Sequence, residues 1–192
     1  MKEIEDILDF IVEIEKLKSV IRKTKPVGLD RYENSAEHSW HVSVLALLLK
    51  DYANESVNID KVIRMLLIHD LGEIDGGDKI IYASETKEQK QKEEDGLSRL
   101  LSMLGEEKVT EYLNLWREFE AGETPESKYA KSVDRIPPLL HNIHGDGHSW
   151  KENNVSSEKV FEVNRRIEKG SIPVWEVIRE KLETAKADGI LN

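Results

Sequence analysis

Helical periodicity runs through this chain almost from end to end, and it restricts the fold more than any other feature. Residues 3 to 22 carry Ile4, Ile7, Leu8, Ile11, Ile14, Leu17, Val20 and Ile21 at steps of three and four, the stripe of an amphipathic helix. KPVGLDRYEN (25–34) concentrates Pro, Gly, Asp and Asn and reads as a loop. Ser35 is the expected cap of a helix reaching about Tyr52. Asn58 or Asp60 opens the next, which carries an apolar run to His69-Asp70, and GEIDGGDKIIY reads as its turn-rich exit. Thr86 opens a charged segment that becomes amphipathic at Leu97, Leu100, Leu101 and Leu104; Gly105 breaks it, and residues 107–120 repeat the pattern. Thr124-Pro125 supplies a cap and a first-turn proline, and Pro137-Pro138 forces that helix to bend or stop. HGDGHSWKENNV (144–155) reads as a loop, Ser156 or Ser157 caps a helix to about Lys169, and residues 172–187 form the last. No segment reads as a convincing strand and there is no internal repeat. The expectation is an all-α, single-domain bundle of about eight helices.

A chain of 192 residues can bury one sizeable core. Hydrophobic content of 39% and charged content of 34%, with the signs intermixed, fit a soluble globular protein. No run approaches the roughly eighteen apolar residues of a membrane span, so no membrane partner is expected. The acidic, amphipathic MKEIEDILDF does not resemble a secretory signal. Cysteine is absent, which removes disulfides and thiolate sites. The expected location is cytoplasmic. A net charge of -10 argues against a nucleic-acid partner. It leaves room for a small anionic ligand, because a bound divalent cation and a few arginines reverse the sign inside one pocket.

The densest chemistry lies in LLIHDLGEIDGGD (66–78), where an apolar run ends in His69-Asp70 and more acids follow. A buried carboxylate needs a partner or a cation. His38 falls in the first turn of the preceding helix; if the two helices are antiparallel neighbours, His38 meets His69 and Asp70 at one end of the bundle. Glu73 follows His69 by four residues and shares its face if the helix continues. Asp134 arrives from a distant helix, just before the double proline. Two imidazoles and two carboxylates suit a manganese, cobalt, iron, zinc or magnesium ion, and Glu73 can orient or deprotonate a water near it. Singly, each of these residues is more often structural: Asp134 could pair with Arg135, and a lone His-Asp doublet is weak. The combination is the signal.

LKSVIRKT (17–24), RYENSAEHSWHVSVLALLL (31–49), IHDLGEIDGGD (68–78) and SVDRIPPLLHN (132–142) together resemble the HD-domain phosphohydrolases, and within them the 5'-deoxynucleotidase branch. The resemblance implies one HD domain over residues 1–192, with a metal-binding core at about 17–142 and C-terminal helices (156–188) packed on it. It implies metal ligands at His38, His69, Asp70 and Asp134, one divalent ion, and catalytic acids at Glu73 and Asp78. Arg22 stands where that branch places a substrate-contacting arginine. The branch follows that arginine with a tryptophan that helps discriminate sugars, where this chain has Lys23, so the resemblance carries phosphate release further than sugar preference. Arg31 is a second substrate-binding candidate that could equally anchor Glu33 or Glu37.

The expected activity is metal-dependent removal of phosphate from nucleoside 5'-monophosphates, 2'-deoxyribonucleotides foremost. A hydrolase of nucleoside triphosphates or guanosine polyphosphates is the alternative, although the sequence shows little of a larger basic pocket; a catalytically silent nucleotide or metal sensor ranks last. His141, His144 and His148 read as structural rather than as a second metal site, with His148 or Trp150 at the pocket mouth. His41 reads as a supporting or packing residue. A homodimer is expected, through the apolar stripe of residues 97–119 (Leu115, Trp116, Phe119) or through the first helix; either stripe could equally cover the core.

Overall fold

The computed structural model describes residues 1–83 and 86–192. Eleven α-helices occur among the described residues: α1 (Lys2–Ile14), α2 (Ser35–Leu49), α3 (Ile59–Ile68), α4 (Glu73–Gly76), α5 (Lys87–Leu101), α6 (Glu106–Ala121), α7 (Pro125–Asp134), α8 (Ile136–His144), α9 (His148–Glu152), α10 (Ser157–Asn164) and α11 (Ile172–Ala187). Short 3-10 segments extend α1, α2 and α10. Among the described residues the only β element is an isolated antiparallel bridge between Ile21 and Asn34. The all-α expectation holds, and three extra helices account for the higher count. Two of them, α4 and α9, are single turns in stretches that read as loops. The third, α8, arises because the chain breaks at Arg135, and Pro137 and Pro138 then fall in a first turn, where missing N–H groups cost nothing.

The start of α2 also differs from expectation. Asn34, not Ser35, is the cap: its side chain accepts from the Glu37 amide at 3.0 Å, and Glu37 Oε1 accepts from the Asn34 amide at 2.8 Å. Ser35 becomes the first helical residue, and its hydroxyl is released for another partner. Thr86, Thr124, Ser156 and Ser171 cap α5, α7, α10 and α11 through their hydroxyls.

Three clusters of buried side chains overlap to form the interior. Val42, Met65, Leu66, Phe119, Tyr129 and Val133 join α2, α3, α6 and α7. Ile136, Leu139, Trp150, Val160, Trp175 and Leu182 join α8 to α11. Leu17, Leu97, Leu100 and Trp116 join the N-terminal segment to α5 and α6. Leu45 and Leu49 touch the first two clusters, and Ile68 and Tyr112 the first and third. Truncating a fully buried leucine such as Leu66 to Ala costs about 2–5 kcal/mol.

Leu115, Trp116 and Phe119, the first interface option in the sequence, point inward at 4–7% exposure and cover the core. The apolar surface that stays exposed lies elsewhere, on Ile4, Leu8 and Val12 of α1 and on Trp40, Leu47 and Leu48 of α2. No helix among the described residues is long and apolar enough to cross a membrane.

Candidate metal centre

The packing of α2 against α3 carries the beginning of one helix to the end of the other. His38 in the first turn of α2 faces His69, the residue that closes α3, with ring centroids 5.7 Å apart. The indole of Trp116 donates to the His69 carbonyl at 3.1 Å and pins the end of α3. Asp134, the last residue of α7, enters from the side, with Oδ1 2.8 Å from His38 Nε2 and 3.5 Å from His69 Nε2. Asp70 Oδ1 lies 3.0 Å from His69 Nε2. After Asp70 the chain turns tightly against α5 at Gly72, where a Cβ would stand 2.4 Å from the Glu93 carbonyl oxygen. The turn resumes as α4 and sets Glu73 beside the doublet. Gly77 then takes a positive φ of 75° that redirects the chain toward Asp78.

Two strand-like segments deliver the remaining charge. Residues 20–24 and 33–35 run antiparallel, held by Arg22 N to Glu33 O (2.8 Å), Glu33 N to Thr24 O (2.8 Å) and Ser35 N to Val20 O (3.0 Å). Arg22 Nη1 donates to Asp70 Oδ2 at 2.8 Å and lies 3.4 Å from Asp78 Oδ1, and its Nε is 3.4 Å from Glu33 Oε2. Ser35 Oγ donates to Glu73 Oε2 at 2.7 Å.

Arg22, His69, Asp70, Glu73, Asp78 and Asp134 line one cleft of about 590 Å³. His38 is fully buried behind Asp134. Arg31 lies elsewhere: it forms a forked ion pair with Glu37 and does not line the cleft. Of the roles open to it in the sequence, the structure shows the anchoring one, on the acid of the α2 capping box. Glu33 and Ser35 were not singled out as site residues by sequence. Glu33 could have been found from its position five residues before His38, one before the cap.

The donor set fits a divalent cation. The Leu66 carbonyl can only accept, so the 2.7 Å contact from His69 Nδ1 places a proton on Nδ1 and leaves Nε2 as the basic nitrogen. Nε2 is buried without a hydrogen-bond partner, although two carboxylate oxygens stand 3.0 and 3.5 Å away. The alignment is that of electrostatic neighbours, not of a donor and acceptor. His38, His69 and Asp134 each offer one ligand atom within 4.8 Å of the others. His38 Nδ1 lies 3.3 Å from Glu33 Oε2, which turns its other nitrogen toward Asp134.

Charge crowding shifts the titrations. Burial works against charge on His69, but Asp70 and Asp134 outweigh it and hold the ring at about 9. Burial, reinforced by Asp70, pushes Glu73 up to about 9. Burial also raises Asp78. Burial would raise Asp134, yet its contacts with His38 and His69 hold it well below the usual carboxylate range. Burial opposes the Arg22 charge, and Asp70 and Asp78 keep it firmly in place.

The late histidines separate. His144 is exposed, and His148 sits near Glu152 and Tyr32. Trp150 is buried rather than at a pocket mouth; its indole donates to the Tyr82 hydroxyl at 3.1 Å, and Tyr82 lines the cleft. His141 lies against Thr24, with its ring 6.1 Å from that of His41.

The sequence model described as HD domain matches residues 14–175. The 5'-deoxynucleotidase HDDC2 of Bos taurus is 29% identical over 137 residues, 70% of this chain and 65% of that protein. The protein of the same name from Dictyostelium discoideum is 28% identical over 167 residues, 82% of this chain and 87% of that protein. The match spans 54% to 65% of the vertebrate relatives from human and cattle. A solved structure from Magnetospirillum magnetotacticum MS-1, described as a predicted metal-dependent phosphohydrolase, superposes with a TM-score of 0.93 at 40% identity, covering 100% of this chain and 99% of that one.

Proposed function

The chain belongs to the HD-domain family, and from that membership we propose that it hydrolyses nucleoside 5'-monophosphates, 2'-deoxyribonucleotides foremost, with one divalent ion held by His38, His69, Asp70 and Asp134. The observation that carries this reading is the convergence of nitrogen and carboxylate donors from α2, α3 and α7 on the unpartnered Nε2 of His69, at the floor of an open cleft. The names of the relatives from Bos taurus and Dictyostelium discoideum support the substrate class.

A manganese, cobalt, magnesium, iron or zinc ion held there supplies Lewis acidity toward the phosphoryl group and acidifies a water. The charge of an ion held beside it would draw the Glu73 pKa down from about 9, and the ionised carboxylate, its oxygens oriented by Ser35, would take up a proton. Asp78, also raised by burial, gives a proton to the departing 5'-oxygen. Arg22 holds positive charge at the cleft floor and ties Asp70 to Asp78.

The cleft wall favours anions on a chain of net charge -10. Nine of its lining residues are Lys or Arg and six are Asp or Glu. Lys79, Lys128 with Arg135, and Arg166 come from three separate segments, so a basic pocket is not evident in the sequence. This wall also favours the second reading, a nucleotide with more than one phosphate. Two copies of the chain are proposed to pair through the exposed face of α2, where Trp40, Leu47 and Leu48 form an apolar stripe.

The test is a panel of nucleoside mono-, di- and triphosphates incubated with the protein and each metal, with a chelator control. Metal-dependent phosphate release from monophosphates is expected. Turnover of triphosphates alone selects the second reading, and no release with any metal defeats both.

A further inference from the structure

We propose that Glu33, His41 and His141 form a second metal site, distinct from the His69-Asp70 centre and suited to a borderline divalent ion such as zinc. The three residues come from the segment before α2, from α2 and from α8, and each offers one ligand atom within 4.8 Å of the others.

Their spacing separates this from an ordinary polar network. His141 Nε2 lies 4.0 Å from Glu33 Oε1, too far for a hydrogen bond. Two ligands held at bonding distance to one zinc ion stand about 3–4 Å apart. His141 and Glu33 are thus spaced to share an ion rather than to bond one another, with a His41 nitrogen within 4.8 Å of both. His141 is 5% exposed and Glu33 2%. The Oε2 of that buried carboxylate is turned to His38 Nδ1 at 3.3 Å and to Arg22 Nε at 3.4 Å, and its Oε1 faces His141.

The orientation of His141 is set from behind. Its Nδ1 lies 3.2 Å from Thr24 Oγ1, which leaves Nε2 directed at Glu33. Metal-binding imidazoles are held in this way through the other ring nitrogen. Burial keeps His141 below its ordinary pKa, so a lone pair is available at neutral pH. His41 is half-buried, with its ring against Trp40 at 6.0 Å. A second cavity, of about 350 Å³, is lined by His141 together with Lys25, Gly28 and His148. Two imidazoles and one carboxylate leave a fourth position for water or for a partner's ligand. Glu33 spans both sites, so filling the second constrains the carboxylate that orients His38.

The proposal is tested by metal counting, independent of any phosphatase activity. Wild-type protein and the variants His41→Gln, His141→Gln and Asp134→Ala are dialysed with excess zinc, then against metal-free buffer, and zinc per chain is read by atomic emission. Circular dichroism checks the fold of each. The expected result is two zinc ions in the wild type, one in each histidine variant, one in Asp134→Ala, and none in His141→Gln combined with Asp134→Ala. A single ion in the wild type overturns the second site, as does retention of two by both histidine variants. Two ions in Asp134→Ala would instead count against the ligand set proposed for the first centre.

Discussion

Ser35 Oγ donates to Glu73 Oε2 at 2.7 Å, tying the first turn of α2 to the first residue of α4. The bond exists because Asn34 takes the capping role and frees the Ser35 hydroxyl. It stabilises the ionised carboxylate and therefore pulls the Glu73 pKa down against burial. In Ser35→Ala that pull is gone and Glu73 binds its proton more tightly. The acidic limb of the pH–rate profile is expected to move to higher pH, with activity at pH 7 falling about 10-fold and metal content unchanged. An unshifted limb removes Ser35 from the site's proton chemistry.

Glu73→Gln keeps the shape of the residue and deletes its basicity. Because the donors around His69 do not include Glu73, the variant is expected to retain its metal. Turnover should drop by about 10²–10⁴. Inductively coupled plasma analysis beside a phosphate-release assay separates the two effects. Loss of metal with loss of turnover would make Glu73 a ligand.

In the metal-free protein, His69 holds its proton up to about 9. A folded-state pKa raised above the unfolded value of about 6.5 contributes stability that is complete below the lower value. That contribution is lost as pH rises through the higher one. Glu73, raised to about 9, acts with the same sign: folding favours its protonated form, and stability falls as pH climbs from the ordinary carboxyl range toward 9. The melting temperature of chelator-treated protein should therefore decline between pH 6 and pH 9. Metal binding at pH 7.5 should release a proton, because His69 must give one up to become a ligand. Calorimetric titration in two buffers of different ionisation heat measures this directly. Equal heats would show that no proton leaves.

Much of the candidate centre was legible because its residues lie in runs whose helical period is unambiguous. His69 and Asp70 end an apolar helix, His38 begins another, and antiparallel packing brings those ends together. Asp134 was legible as a helix terminus from the prolines that follow. Glu33 was harder to see, since its role depends on the bridge between residues 20–24 and 33–35, and such short pairings leave no periodicity. The short helices α4 and α9 were hidden for the same reason. The basic cleft wall was invisible because it gathers lysines and arginines from segments far apart in sequence, and each segment reads alone as a solvated charged face. Arg31 shows the converse: its nearness to His38 in sequence left the pocket and an anchoring pair with Glu33 or Glu37 equally open, and in the structure it pairs with the capping-box acid Glu37.

The α2 helix is apolar on two faces. Val42 and Ala46 are fully buried, while Trp40 and Leu48 remain 65% and 70% exposed. A helix apolar all round is ordinarily covered on both sides, and a patch of this kind marks an interaction surface. Pairing about a two-fold axis would bring the same stripe from each copy together. The wild type is expected to sediment as a dimer, and the double variant Trp40→Asp, Leu48→Glu as a monomer with its helical content intact. Because Trp40 stacks on His41, zinc content should be read in the same samples. A wild type that stays monomeric up to high micromolar concentration would show that this stripe does not join two copies.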